Sequence, residues 1–356
     1  MICIFIYIIK MNKNINKFTE QTTIDQLHGH GNSGIANIGN TCFLNTALQQ
    51  LSHCPDLTLF FLSGAFKGDC NTEKKEFKMC KEYFRILSAL WEKNQGIRPT
   101  SFKRTLDKMY PQFKGYGQHD SQEVLLTLLD ALHITLSYSV TIDISGTVLN
   151  DKDKLEVSSI NEWKTFYSKE YSKIVELFFG QDHTILHCAN CNTDVHKFEP
   201  FCSLELPIPL TENQQISIYD CMNKYVETEK TPNRLCEKCN KTKSSTRAVS
   251  IWRPPNYLII SFKRFTSSNN KNSTLIDFPI ENLNINQIIS GYQNESLRYD
   301  LLSISNHGGE TSGGHYHAFC KNADGKWYDH NDTLVTEIKP EQLVTPSAYV
   351  LIYKKK

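Results

Sequence analysis

The sequence has no hydrophobic run long enough to span a bilayer and no marked excess of charge of either sign. Met1 to Ile9 is almost wholly apolar, but nine residues are too few for a spanning helix, which needs about 20. No positive charge precedes this run and no small-residue cleavage site follows it. Lysine and arginine number 39 and aspartate and glutamate 38, giving a formal net charge of +1. We therefore expect no nucleic-acid binding and no firm membrane association, since both favour a basic face.

The sequence also lacks internal repeats and the cysteine pattern of a disulfide framework. Twelve cysteines are present in 356 residues; four form two CxxC pairs and the others are scattered. Scattered thiols in a long chain are typical of a reducing compartment, so we expect a cytoplasmic or nuclear protein. The composition, 40% hydrophobic and 22% charged, excludes wholesale disorder.

The hydrophobic pattern changes from helical to strand-like along the chain. Apolar residues recur at helical spacing over 44–51, and a second helix is predicted after Asp120, with Glu123 completing a capping box. From about residue 175, short apolar runs separated by turn residues predict an antiparallel sheet. We expect 142–160 to be a surface excursion and 266–273 to be a loop. Helices first and strands later favour the α+β class.

Three parts of the chain are distinguished by composition. Residues 1–33 are predicted to be a flexible N-terminal arm, because 10–33 are polar and rich in Asn, Lys and Gly. Globular sequence runs over 34–353, and a basic tail of three lysines follows at 354–356.

The segment 34–45, GIANIGNTCFLN, has the features of a nucleophile at the start of a helix. Thr41 is a suitable N-cap, which places Cys42 in the first helical turn, where free backbone N–H groups are expected to lower its pKa. Asn37 is suitably placed to donate to the oxyanion that forms when a thiolate attacks a carbonyl. The alternative for a single cysteine is a buried structural residue.

A base for Cys42 is found near the other end of the chain. His315 follows a glycine-rich loop, and Asn331 stands sixteen positions later in the segment WYDHND. A turn back along the neighbouring strand would bring an amide or a carboxylate, Asn331 or Asp332, against the imidazole. Cys, His and Asn in this order resemble the papain-like arrangement, in which Asn fixes the tautomer of His. The alternative for His315 is an ordinary surface or packed histidine.

The two CxxC pairs are typical of a structural zinc site. The pairs are separated by 44 residues, and four thiolates would complete a tetrahedral site with no open position. The intervening segment must run away from the site and return, as a pair of strands would. Unrelated cysteine pairs or redox dithiols are the alternative. No catalytic metal or organic cofactor is indicated. The predicted ligands are Cys188, Cys191, Cys236 and Cys239.

The segments around Cys42 and His315 closely resemble the cysteine and histidine boxes of the ubiquitin-specific protease family, the papain-like cysteine deubiquitinases. Further stretches that resemble the family are QHDSQE at 118–123, VELFFGQ at 175–181, FEPFCSLELPI at 198–208 and LIISFKRF at 258–265. The resemblance covers about 34–353. It implies a helical thumb, an antiparallel β palm and zinc-ribbon β fingers at about 180–250.

The family's roles, carried over to matching positions, are Cys42 as nucleophile, His315 as base, Asn331 as the residue that orients it and Asn37 as oxyanion donor. Asp332 is expected to be an auxiliary to this set. Gln118 and Asp120 would face the ubiquitin tail, although Asp120 also suits a helix N-cap. The glycine-rich loop 308–314 resembles a mobile loop at the substrate channel. His119, His317 and His330 are expected to be packing or surface residues.

The resemblance implies a monomeric deubiquitinase that acts on ubiquitin and ubiquitinated proteins and carries structural Zn²⁺. It would cleave the peptide or isopeptide bond after the last glycine of ubiquitin through a thioester. Two alternatives remain open, a protease for another ubiquitin-like modifier and a catalytically weak ubiquitin-binding scaffold.

Overall fold

The computed structural model describes residues 6–11, 27, 29–210, 215–265, 270–292, 297–310 and 313–356. Most of the α-helices precede residue 180. The α-helices are α1 Cys42–Ser52, α2 Pro55–Leu62, α3 Phe66–Asp69, α4 Phe77–Leu87, α5 Thr100–Met109, α6 Ser121–Leu136, α7 Asp151–Tyr167, α8 Lys173–Phe178 and, after residue 180, α9 Ile218–Tyr225. No helix in the described part of the chain is long and apolar enough to cross a membrane.

Most of the strands follow residue 180, as the change in hydrophobic pattern predicted; β1 and β2 precede it. They are β1 Ile6–Met11, β2 Val140–Ser145, β3 Gly180–Cys188, β4 Thr193–Phe201, β5 Ser203–Leu206, β6 Gln215–Ser217, β7 Glu229–Leu235, β8 Thr242–Arg253, β9 Tyr257–Phe262, β10 Leu275–Asp277, β11 Leu283–Asn284, β12 Arg298–Glu310, β13 Gly313–Lys321, β14 Trp327–Asn331, β15 Leu334–Ile338 and β16 Ala348–Lys355. The mixture of a helical half and a sheet half confirms the α+β class.

The largest sheet has the strand order β15-β14-β13-β12-β16-β9-β5, with β11 paired to β12. It is antiparallel except at one edge, where β5 runs parallel to β9. Helix α1 packs between this sheet and the other helices, and all eleven of its residues are buried. Its first residue is Cys42, so the candidate nucleophile lies where the helical and sheet halves meet.

A separate four-stranded sheet, β4-β3-β8-β7, forms the fingers. Its strands lie between Gly180 and Arg253, close to the predicted range of 180–250. The segment between its two hairpins returns to the body of the protein as β5, β6 and α9. Both CxxC pairs lie at hairpin ends, since Cys188 ends β3 and Cys236 follows β7.

Two regions differ from the sequence-based expectation. The expectation that 142–160 form a surface excursion is wrong, because 140–145 form β2 and α7 starts at Asp151. Asn150 and Asp153 cap α7 reciprocally, and its buried Ile160 belongs to a small separate core that also includes Ile142 of β2.

The second difference concerns the N-terminal arm. Ile6–Met11, which lie within the arm expected at 1–33, form β1 and pair antiparallel with β2. The described end of the arm also packs on the body, since Leu27 is buried and Gly31 N donates to Leu90 O over 3.2 Å. Residues 1–5, 12–26 and 28 of the proposed arm lie outside the described residues, as do 266–269 of the predicted loop.

Candidate active site

The loop before α1 is shaped by the side chain of Asn37. Its Oδ1 accepts hydrogen bonds from the backbone N–H groups of Gly39, at 3.1 Å, and Thr41, at 3.0 Å. Thr41 occupies the N-cap position as predicted, but its hydroxyl accepts from Ile38 N rather than from the helix. Gly39 has φ +113°, and a Cβ there would lie 2.6 Å from the Tyr116 ring. This compact loop fixes the point at which α1 begins, and therefore the position of Cys42.

The thiol of Cys42 is buried, and its surroundings raise its pKa. Burial is the largest cause of the rise, and the negative charge of Asp332 adds to it. The backbone N–H of Tyr316 opposes the rise, as do those of Phe43 and Cys42 itself. The expectation that the start of the helix lowers the pKa of Cys42 is therefore wrong for the protein without substrate. The helical N–H groups act in the predicted direction, but desolvation outweighs them.

His315 and Asn331 form the pair that the sequence predicted. The imidazole Nε2 donates to Asn331 Oδ1 over 2.7 Å. Since Nε2 carries the proton, the lone pair lies on Nδ1. Tyr316, the next residue after His315, directs its backbone N–H at the Cys42 thiol, so the nucleophile and the imidazole are on adjacent structural elements.

Asp332 connects the segment around Cys42 to the segment around His315. Its Oδ2 accepts from Asn37 Nδ2 over 3.0 Å and its Oδ1 from Asn45 Nδ2 over 2.7 Å. Its backbone oxygen accepts from Ile35 N over 2.8 Å. A Cβ at Gly34 would lie 2.6 Å from that same oxygen, so the contact requires glycine. Asp332 thus holds Asn37 beside the nucleophile through a charge-assisted hydrogen bond.

Asn45 is a site residue that the sequence interpretation missed. It lies in α1, one turn after Cys42, and is buried. Its amide also donates to the Ile35 carbonyl over 3.1 Å. A buried asparagine inside an apolar helix was the available signal, because asparagine has low helix propensity and needs partners when buried.

Gln118 holds the backbone that leads into His315. Its Nε2 donates to Gly314 O and its Oε1 accepts from Gly314 N, both over 2.9 Å. Asp120 is the N-cap of α6, accepting from Gln122 N over 2.7 Å, and Tyr349 donates its hydroxyl to the other carboxylate oxygen over 2.6 Å. The predicted contact of Gln118 and Asp120 with a substrate tail stays a prediction.

The other three histidines of this region make packing or paired contacts. His119 packs edge-on against Phe43 and Phe113. His317 Nδ1 lies 2.7 Å from Asp329 Oδ1, and His330 is buried. In the expected mobile loop over 308–314, residues 311 and 312 lie outside the described residues.

The four predicted zinc ligands lie together. Their sulfur atoms are within 4.8 Å of one another, and the Cys188–Cys239 and Cys191–Cys236 sulfur pairs are separated by 3.9 and 3.8 Å. Zinc–sulfur bonds of about 2.3 Å in a tetrahedron put sulfur atoms about 3.8 Å apart, so the set fits Zn²⁺.

The backbone of both CxxC turns also suits a metal. Each turn is closed by an asparagine with positive φ, Asn192 at 51° and Asn240 at 53°. Backbone N–H groups lower the pKa of the first cysteine of each pair, Cys188 through Cys191 and Asn190, and Cys236, to about 6, through Cys239 and Lys238. These N–H groups favour the thiolate form, which is the form that binds metal.

Comparison with known proteins places the chain in a family. The family model for ubiquitin carboxyl-terminal hydrolase matches residues 33–353. The chain belongs to this family, the ubiquitin-specific proteases. It is 32% identical over 98% of its length to ubiquitin carboxyl-terminal hydrolase Usp2 of Drosophila melanogaster, and 31% identical over 92% to ubiquitin carboxyl-terminal hydrolase 21 of Homo sapiens.

The chain covers only 37% and 62% of these two relatives, respectively. Among solved structures, it is similar to a chain of the SAGA Ubp8/Sgf11/Sus1/Sgf73 DUB module bound to ubiquitin aldehyde. The TM-score is 0.72 and the identity 24%, over 92% of this chain and 70% of the other. At this identity the likeness supports the fold.

Proposed function

We propose that the protein is a thiol-dependent deubiquitinase that hydrolyses the peptide or isopeptide bond after the C-terminal glycine of ubiquitin. The observation that carries the proposal is the arrangement of three residues at the junction of α1, β13 and β14. His315 is held by Asn331 over 2.7 Å, and the backbone N–H of Tyr316, the residue after His315, interacts with the Cys42 thiol. Membership of the ubiquitin carboxyl-terminal hydrolase family supports ubiquitin as the substrate.

In the first half-reaction, Cys42 Sγ attacks the carbonyl carbon of the last glycine of ubiquitin, and its proton passes to His315 Nδ1. The carbonyl oxygen becomes an oxyanion, which Asn37 Nδ2 and the backbone N–H of Cys42 stabilise. The C–N bond then breaks, and the imidazolium gives its proton to the departing amine. The product is a thioester between Cys42 and ubiquitin.

In the second half-reaction, His315 Nδ1 takes a proton from water as the water attacks the thioester carbonyl. The C–S bond breaks, the proton returns to Cys42, and ubiquitin leaves with a free carboxylate. Asn331 remains neutral and fixes the Nε2–H tautomer throughout. Because burial raises the pKa of the Cys42 thiol, we propose that the proton leaves the thiol during attack rather than before substrate binds.

Several supporting residues act without touching the reacting atoms. Asp332 holds Asn37 near the position of the oxyanion, and Gln118 holds Gly314, the residue before His315. Zn²⁺ bound by the four cysteines would tie the ends of the finger hairpins together. It would act as a structural ion, because four protein ligands leave no open position for substrate.

The proposal is tested by measuring hydrolysis of a ubiquitin C-terminal amide by the Cys42→Ala variant. We expect kcat to fall at least about 10³-fold, because the nucleophile is lost, while binding of ubiquitin remains. Cys54→Ala is a matched control, since Cys54 is also buried and close to α1 but has no role in the reaction. A Cys42→Ala protein that turned over at the wild-type rate would contradict the assignment.

A further inference from the structure

A second group of potential metal ligands lies in the core, apart from the four-cysteine site. His53, Cys320 and His330 each offer one ligand atom, and these atoms lie within 4.8 Å of one another. The three residues are nearly inaccessible, with exposed fractions of 3%, 0% and 2%. None of them takes part in the proposed reaction.

The two histidines leave unpartnered nitrogen atoms inside this group. His53 Nδ1 lies 2.8 Å from the Gln49 carbonyl oxygen, so Nδ1 carries the proton and Nε2 carries the lone pair. His53 Nε2 and both ring nitrogens of His330 have no hydrogen-bond partner among the described residues. A buried polar atom without a partner costs about 1–3 kcal/mol, so three of them in one place require an explanation.

Metal coordination would give a partner to two of these three nitrogen atoms. A histidine ligand ordinarily donates its second ring N–H to a carbonyl or a carboxylate, as His53 donates to Gln49. We propose that His53 Nε2, Cys320 Sγ and a ring nitrogen of His330 bind one soft or borderline metal ion with a filled d shell, Cu⁺ or Zn²⁺. Imidazole and thiolate ligands select ions of this class over Mg²⁺ and Ca²⁺.

The distances and charges suit such an ion. Bonds of about 2.0–2.3 Å to nitrogen and sulfur place ligand atoms about 3–4 Å apart. The three atoms already lie within 4.8 Å of one another. Cu⁺ with one thiolate and two neutral imidazoles is electrically neutral, which suits a buried position. Zn²⁺ would take a water as fourth ligand. A cavity of about 350 Å³, lined by His53, Ser52 and Trp91 among others, lies beside the site on the His53 side.

The site would join the three elements that carry the proposed catalytic residues. His53 is the C-cap of α1, which begins at Cys42. Cys320 is on β13, which carries His315, and His330 precedes Asn331 on β14. A bound ion would therefore cross-link α1, β13 and β14. We expect metal binding to slow amide hydrogen exchange in β13 and β14, whether or not the proposed hydrolysis is correct.

The test counts metal ions bound by the full chain carrying Cys42→Ala, which removes the active-site thiol as an alternative ligand. After dialysis against Zn²⁺, we expect two equivalents, one at the four cysteines and one at the new site. In a second arm, the zinc-loaded protein is titrated with chelator-buffered Cu⁺. Bound copper is assigned to the new site only if one equivalent of zinc remains at the four cysteines. A second equivalent in the first arm shows that the site accepts Zn²⁺, and bound copper in the second arm shows that it accepts Cu⁺.

Adding His330→Phe or Cys320→Ala should remove one equivalent and the accompanying slowing of hydrogen exchange. Cys80→Ala is the matched control, because Cys80 Sγ lies 3.8 Å from Cys70 Sγ in another part of the core. It should retain both equivalents. One equivalent or fewer in the parent protein in both arms would overturn the proposal. So would loss of the second equivalent in Cys80→Ala but not in Cys320→Ala.

Discussion

Substitution of Asp332 by Asn tests the proposed link between the two halves of the active site. The carboxylate accepts hydrogen bonds from Asn37, at 3.0 Å, and from Asn45, at 2.7 Å. An asparagine side chain has one oxygen, so it can replace only one of these bonds. Losing one charge-assisted bond costs about 1.5–3 kcal/mol. If Asn37 loses its fixed position, we expect kcat/KM to fall by about 10- to 150-fold, at 1.4 kcal/mol for each factor of ten.

The same substitution has a second, independent readout. The negative charge of Asp332 raises the pKa of the Cys42 thiol, so Asp332→Asn should lower that pKa. The rate of Cys42 alkylation rises with pH as the thiolate forms. Its midpoint should therefore move to lower pH in the variant, although turnover is slower. A general loss of structure would not produce this combination.

The assay is a ubiquitin C-terminal amide for kcat/KM, with mass spectrometry of the Cys42 peptide for alkylation across pH. Asp329→Asn is the matched control, because Asp329 is on β14, shortly before Asp332, but pairs with His317. We expect it to keep kcat/KM within a few-fold of wild type. An Asp332→Asn protein with wild-type kcat/KM and an unchanged alkylation midpoint would refute the reasoning.

Three further predictions follow from other contacts. Gln118→Ala removes both bonds to Gly314, at about 1 kcal/mol each, and should lower kcat/KM by about tenfold or more in the amide assay, with little change in melting temperature. Cys236→Ser should lose one zinc equivalent by metal analysis and expose the fingers to limited proteolysis, while Cys42 remains reactive. Arg264→Met deprives three backbone carbonyls of a buried donor and should lower the free energy of unfolding in urea by about 3 kcal/mol. An unchanged value in any of these assays would contradict the corresponding contact.

The local features of the site were predictable from the sequence because they depend on neighbouring residues. The start of a helix at Cys42 follows from the apolar spacing over 44–51, and the Asp120 cap follows from its position before a helical run. The four cysteines were predictable because CxxC turns have few other uses in a chain of this kind.

The features that sequence reasoning missed depend on contacts between distant residues. Asp332 meets Asn37 and Asn45 across 295 and 287 positions, and only the fold sets that pairing. The raised pKa of Cys42 depends on how deeply the thiol is buried, which a helix start does not reveal. Helix α7 was missed even though Asn150 and Asp153 have the spacing of a reciprocal cap.

The most direct test of the central claim is the reaction of the full chain with ubiquitin that carries an electrophile at its C-terminus. The account predicts a single covalent adduct, located on Cys42 by peptide mass spectrometry, and no adduct in Cys42→Ala. Other ubiquitin-like modifiers with the same electrophile should react far more slowly. An adduct on another cysteine, or faster reaction with a rival modifier than with ubiquitin, would contradict the account.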